Sequence, residues 1–422
     1  MTATEPLSLG QLSVWHDIRD LPSGRRHEPN NAAVWALPPG ATAPEVAAAL
    51  TVLACRHPSL RTRYDLRDPY NPRQWVEPPG ADPAHLPVTT AADHGGAALE
   101  LARRPFDLGR EQAWRAQLAT GPDGVAHLLF VKHHIVADAW AQELLRRELL
   151  AELAGPGSTH PVAERPGPAH LAREQYAPDG LRRRQAALDH WAKLLARAPH
   201  ARLPETGENA GEVVQATLRS PEALAAARTV AERARASVAS AVLAAWSTVV
   251  ARRCGATSAL VQLMSANRFA GRWKDLVSSM NQWVPALVEH TDTDLVDLAR
   301  RVHWSSLAAV RHGMHDVDEV AALRAGIPEA PSPVCAFNHV TLPPGENGDG
   351  DADEAGGDHA KATLDRETPF TTLGPRCYAR STDSGSTLSV RLTAAGIGHE
   401  VCADLLWELH DTLLAAARRP GR

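Results

Sequence analysis

Cysteine is scarce in this 422-residue chain, and the five present, Cys55, Cys254, Cys335, Cys377 and Cys402, are widely scattered. That spacing excludes a disulfide framework and points to reduced core thiols in the cytoplasm. Excess basic charge is also missing. The net charge is −5, so no strong pull toward nucleic acid is expected, and no basic arm or nucleic-acid motif argues otherwise. The first residues, Met1-Thr-Ala-Thr-Glu-Pro6, lack a charged stretch followed by an apolar one, and no apolar run approaches the length of a membrane span. Neither His-Glu-x-x-His nor Cys-x-x-Cys spacing occurs, so no metal site is expected. These absences describe a soluble cytoplasmic protein without membrane or nucleic-acid partners. The 44% hydrophobic content is enough for one large or two medium cores.

The most informative stretch is His133-His-Ile-Val-Ala-Asp-Ala-Trp140. The apolar run Val125 to Lys132 before it reads as a buried strand. After it, Trp140, Leu144, Leu145, Leu149 and Leu153 recur at helical spacing. Two histidines therefore end a strand, and Asp138 stands where a helix begins. Successive strand side chains point to opposite faces, so one histidine faces chemistry and the other packing. An imidazole at a strand end suits general-base work, because its ordinary pKa lies near neutrality. Asp138 also suits a plain helix cap. On the residues alone, catalysis and structure stand about even.

His133-His134-x-x-x-Asp138-Ala139 resembles the His-His-x-x-x-Asp-Gly signature of the condensation domains of nonribosomal peptide synthetases. These are chloramphenicol acetyltransferase-like acyltransferases. Other motifs of that family follow in order. Ser8, Gln11 and Trp15 are similar to its first motif. Arg56-His-Pro-Ser-Leu-Arg-Thr-Arg-Tyr64 resembles the second, its arginines expected as ion-pair partners, and Pro105-Phe-Asp-Leu108 resembles the element before the histidines. His170 to Pro199, with Tyr176, resembles the fourth. Val277-Ser-Ser-Met-Asn-Gln-Trp-Val-Pro285 stands at the fifth but lacks both of its aromatics and carries Trp283 instead. His312 to Val317 matches the sixth only loosely, and Pro333 to Val340, with Asn338, is similar to the family's Phe-Asn segment.

Periodicity places strands at 31–37, 73–77, 213–218, 259–264, 333–340 and 387–392. It places helices from Pro44, from Ser220-Pro221, over Ser237–Arg253 and Asp294–His312, and over Glu400–Arg418. Strands interleaved with helices in each half suit two α/β lobes. The Gly/Pro-rich stretch 155–169 sets the expected division into 1–165 and 166–422. Residues 345–360, acidic and glycine-rich, read as a mobile surface insertion without the spacing of a calcium loop.

The resemblance implies an α/β fold of two acetyltransferase-like lobes, a V-shaped pseudo-dimer with the active-site tunnel between them. It implies a condensation reaction in which a carrier-bound acyl thioester meets an amine. His134 takes or orients the acceptor's proton, with His133 beside it. Asp138 pairs with Arg268 to fix the loop, and the pair ties the lobes together. Ala139 offers a backbone N–H to the oxyanion, and Ala139, Trp140, Trp283 and Asn338 border the substrates. The chain itself needs no cofactor, and phosphopantetheine arrives on partner carrier proteins. Arg25, Arg26, Arg272 and Arg376 are candidates for its phosphate. No carrier or adenylation motif lies in the chain, so a free-standing monomeric enzyme is expected. His133 argues against a heterocyclisation domain, the absence of Glu-x-His-Gly-Arg against an epimerisation domain, and His134 against a degenerate recruitment domain. Ester formation and non-catalytic partner binding remain the alternatives.

Overall fold

The structure, a computed structural model, describes residues 4–80, 86–120, 126–155, 163–204, 212–341 and 361–419. The acidic stretch 345–360 lies outside these residues. Compactness groups Met1–Arg184, Ala266–Gln282 and Met314–Asp318 into one unit, and Gln185–Ser265, Trp283–Gly313 and Glu319–Arg422 into a second. The units therefore do not follow a single cut in the chain.

The first unit runs β1 (Glu5–Pro6), α1 (Leu9–Ile18), β2 (Asn30–Ala36), α2 (Ala43–Arg56), β3 (Thr62–Asp65), β4 (Arg73–Val76), β5 (Val88–Thr90), α3 (His94–Ala102), β6 (Trp114–Thr120), β7 (Ala126–His133), α4 (Ala139–Ala154), α5 (Pro168–Gln175) and α6 (Pro178–Leu195). The division between units falls inside α6. The strands form a four-stranded sheet ordered β2-β7-β6-β5 and a three-stranded sheet ordered β1-β4-β3. β7 is central, antiparallel to both β2 and β6. Its Phe130 stacks on Trp35 of β2, with ring centroids 4.6 Å apart. Local chemistry starts the helices. Thr42 accepts from the Glu45 amide while Glu45 reaches back to Thr42, which begins α2. In α4, Leu144, Leu145 and Leu149 are buried, whereas Trp140 is 45% exposed and leaves the expected apolar stripe.

The second unit runs β8 (Val213–Ser220), α7 (Pro221–Ala234), α8 (Val238–Arg253), β9 (Ser258–Ser265), β10 (Gln282–Glu289), α9 (Leu295–Val310), α10 (Val317–Ala325), β11 (Cys335–Thr341), β12 (Thr363–Glu367), β13 (Cys377–Asp383), β14 (Leu388–Ala395) and α11 (His399–Arg418). Its seven strands form one sheet, ordered β10-β9-β11-β13-β14-β8-β12. Pairing is parallel at β9–β11–β13 and antiparallel from β13 through β14 and β8 to β12. Buried side chains of α7, α8, α9 and α11 share one core with this sheet, around the fully buried Trp246. Ser220, Ser237 and Asp294 cap α7, α8 and α9 through side-chain oxygens. Among the described residues, no single helix is long and apolar enough to cross a membrane.

Candidate active site

β7 ends at His133, and the next residue turns away from the sheet. The His134 amide donates to Pro29 O at 2.9 Å, and Val136 N–H closes a turn on His133 O at 3.0 Å. The Ser59 hydroxyl donates to Val136 O at 2.6 Å and holds that turn. The two imidazoles make different commitments. His133 Nδ1 accepts from the Ile135 amide at 3.1 Å, so its proton sits on Nε2. His134 Nδ1 lies 3.4 Å from Ala137 O. A carbonyl can only accept, so this Nδ1 carries the proton and Nε2 keeps the lone pair. His134 is half-buried and retains water contact, while His133 is buried.

Burial pushes the His134 imidazole down to about 4, helped by the Lys132 cation and opposed by Asp138. Burial, His134 and Lys132 push His133 down to about 3. Both rings are therefore neutral at pH 7, as a general base requires. Lys132 is buried, its Nζ donating to Asn31 Oδ1 at 2.9 Å. From the sequence, Lys132 reads only as the end of a strand. A lone cation in an otherwise apolar run was the signal available.

Asp138 caps α4 by accepting from the Ala141 amide at 2.9 Å. It also accepts from the Met280 amide at 3.0 Å, and from Arg268 Nη2 at 2.8 and 2.9 Å. Arg268 donates further to the carbonyls of Leu276, at 2.7 Å, and Ser278, at 3.1 Å. Asn267, at φ 56°, turns the chain so that the arginine enters. With four hydrogen bonds on it from three donor nitrogens, Asp138 has no capacity left for a substrate, and its geometry is that of a clamp. The clamp lies wholly in the first unit, because residues 266–282 belong there. Arg268, which lies well past the division expected near residue 165, therefore falls in the same unit as Asp138.

The surrounding motif residues bind one another and α4. Gln11 Oε1 accepts from the Ser8 amide at 2.9 Å, and its Nε2 donates to Gln74 and Tyr64. Arg56 and His57 converge on Glu148 of α4, at 2.8 and 2.9 Å. Burial alone would raise the Glu148 carboxyl, but the bonds from His57 and Arg56 win and lower it to about 2.

Ala139 is the first residue of α4 and exposed, with ordinary φ, and its N–H has no partner among the described residues. Such an amide at a helix start presents a donor and the positive end of the dipole. Trp140 Nε1 donates to Lys274 O at 3.0 Å. Trp283 and Asn338 belong to the second unit. They lie on β10 and β11, which β9 separates. Trp283 meets Tyr378 edge-on at 5.2 Å. Of the four arginines considered for phosphate, Arg25 pairs with Glu28, Arg272 with Glu174, and Arg376 Nε donates to Ala395 O. Arg26 has no side-chain partner among the described residues. Nor, among them, do three or more His, Cys, Asp or Glu side chains gather as metal ligands.

A mixed sheet-and-helix chain whose His-His-x-x-x-Asp turn joins a central strand to a capped helix is a chloramphenicol acetyltransferase-like fold, here in its two-lobed form. Within that class, the family model for the condensation domain matches residues 21–323, well over half of the chain. The chain belongs to the condensation-domain family of nonribosomal peptide synthetases. It is 29% identical over 294 residues to the AMB antimetabolite synthetase AmbE of Pseudomonas aeruginosa, a match that covers 66% of this chain and 14% of AmbE. It thus spans only a small part of that relative. Among solved structures it is similar to the condensation domain that mediates chain release from the enacyloxin polyketide synthase, with a TM-score of 0.74, 22% identity, and 99% and 83% of the two chains covered. It is also similar to the X-domain from teicoplanin biosynthesis, with a TM-score of 0.75, 20% identity, and 99% and 96% covered.

Proposed function

We propose that this chain is a condensation enzyme that transfers an acyl or peptidyl group from a carrier-protein thioester to an amine, forming an amide. The observation that carries the reading is the neutral His134, its Nδ1 proton committed to Ala137 O and its Nε2 lone pair uncommitted. In the reaction the amine nitrogen attacks the thioester carbonyl. The C–N bond forms, Nε2 takes the proton from nitrogen, the C–S bond breaks, and the carrier's sulfur leaves as the thiol after protonation. The Ala139 N–H at the start of α4 supports the developing oxyanion. The Asp138–Arg268 clamp holds the turn so that neither group must reorganise during transfer.

On this reading the chain binds no cofactor of its own. Phosphopantetheine belongs to the donor carrier, and the acceptor is carrier-bound or free. The enzyme works in the cytoplasm as a monomer and receives its acyl group from a carrier protein. Ala139, Trp140, Trp283 and Asn338 are the proposed substrate contacts, and His133 supports His134 from the neighbouring position. A hydroxyl acceptor would give an ester by the same steps.

One observation favours a second reading, a partner-recruitment module. The fifth motif lacks both of its aromatics, and the teicoplanin X-domain, of similar fold, has been solved in complex with OxyB. Donor-loaded carriers incubated with carrier-bound or free amines, and analysed by intact-protein mass spectrometry, decide between the two. Amide product that disappears in His134→Ala supports condensation. No product across a broad donor panel, together with tight binding of a partner enzyme, replaces it with recruitment.

A further inference from the structure

The first unit contains a cavity of about 900 Å³ that the chemistry above leaves unused. His133 lines it and His134 does not, as expected for neighbours whose side chains part at a strand end. Its volume falls in the range of about 300–1,000 Å³ usual for small-molecule sites. Four aromatic side chains contribute to its wall: Trp15, Tyr64, Trp75 and Phe106. The polar ends of three of them are already engaged. Trp15 Nε1 donates to Pro69 O, Trp75 Nε1 to Glu77, and the Tyr64 hydroxyl accepts from Gln11. What Trp15, Trp75 and Phe106 can offer a ligand is carbon surface.

The charges lining the cavity are unevenly spent. Asp65 is held by Arg67 at 2.6 Å, Asp107 accepts from the Gly109 amide at 3.1 Å, and Glu111 accepts from the Asp107 amide at 2.7 Å. Arg19 is paired with Asp318 at 3.0 Å. Arg26, exposed at the lining, has no side-chain partner among the described residues, and Arg110 comes no closer than 3.9 Å to Asp107. Asp65, Asp107 and Glu111 each have an arginine beside them, Arg67, Arg110 and Arg115 at 4.0 Å or less, so Arg26 is the lining cation left without a carboxylate among the described residues. Inside, His133 is only 3% exposed. Its Nδ1 is taken by Ile135, and its Nε2–H has no partner among the described residues.

We infer that this cavity is a second ligand site, distinct from the transfer site, that takes an aryl carboxylate. The ring lies against the aromatic wall, the carboxylate meets Arg26 at the open end, and a polar ring substituent accepts from His133 Nε2–H. The inference does not depend on the condensation reading, since it invokes neither carriers nor His134.

Isothermal titration of the full chain with 3-(4-hydroxyphenyl)propanoate, its primary amide, and 3-phenylpropanoate tests it. The hydroxylated acid should bind tightest, with the amide weaker by about tenfold or more. Arg26→Gln should reduce the acid to the level of the amide and leave the amide unchanged. His133→Phe should erase the advantage of the ring hydroxyl. Leu21→Trp, which adds bulk to the lining without touching a charge, should abolish binding and keeps the test decisive if the His133 variant does not fold. His134→Ala should bind as the unaltered chain does. No saturable heat with any probe at millimolar concentration overturns the inference, as does equal binding of acid and amide or indifference to Arg26→Gln and Leu21→Trp. Loss of binding in His134→Ala overturns the separation of the two sites. None of these outcomes bears on acyl transfer, which is read by product formation.

Discussion

Arg268 Nη2 donates to both carboxylate oxygens of Asp138, at 2.8 and 2.9 Å, across 130 positions of sequence. Both side chains are almost fully buried, 2% and 3% exposed. The pair thus fastens the loop 276–280 to the start of α4, and the histidine turn is held from that end.

Removing one partner strands a buried charge. Asp138→Ala and Arg268→Ala should each cost about 3–5 kcal/mol, read as a lower midpoint in urea unfolding. The exposed pair Arg252–Glu408, its arginine 57% exposed, is the control, and its loss should cost no more than about 1 kcal/mol. Equal costs for the two pairs would refute the clamp.

His134→Ala should slow acyl transfer by about 10²–10⁴-fold. Its melting temperature should stay close to that of the unaltered chain, because the half-buried ring makes one long hydrogen bond. Turnover at the original rate would remove His134 from the chemistry.

Acid should affect stability before it affects the base. His133 and His134 titrate near 3 and 4 in the folded chain, against about 6.5 when unfolded. Between these values the unfolded chain binds more protons, so stability is fully present above about 6.5 and falls as the pH drops toward 4, at up to about 1.4 kcal/mol per pH unit for each histidine. Transfer rate per folded molecule should stay flat to below pH 5, since His134 remains neutral there. Urea midpoints and initial rates at stepped pH check both. A bell with its acid limb near 6.5 would contradict the depressed value.

Lys132→Met removes the cation that helps keep His134 neutral. The acid limb of the rate profile should move up toward the ordinary histidine range, as measured by rate against pH or by NMR titration of the ring. An unmoved limb would leave burial as the whole cause.

Gly10 of α1 packs so closely on the loop that holds the clamp that an added Cβ would stand 2.3 Å from Ser279 O and 2.7 Å from Met280 Cα. Those are backbone atoms and cannot swing aside. Gly10→Ala should cost about 1–3 kcal/mol, whereas Gly24→Ala, with open space around it, should stay within about 0.5 kcal/mol. Thermal melts of the two variants give the comparison.

Sequence by itself determined the features that depend on residues a few positions apart. The apolar run before His133 made β7, and Leu144, Leu145 and Leu149 marked the buried face of α4. Ser220 before Pro221, and Asp294 before an apolar helix, marked starts that the structure keeps. The order of the family motifs carried the family. Tertiary structure decided what distant contacts control. β13 escaped notice because its buried positions hold Cys377, Ala379, Ser381 and Asp383, small or polar side chains whose alternation has no hydropathic contrast. The burial of Lys132 depends on Asn31 in the adjacent strand. Which imidazole nitrogen carries the proton depends on whether an amide or a carbonyl lies opposite, and two neighbouring histidines came out differently. The membership of Arg268 in the first unit was invisible to any linear division, since Asp138 and the carbonyls of Leu276 and Ser278 hold it there. A buried guanidinium goes where its acceptors are, however far along the chain they come from.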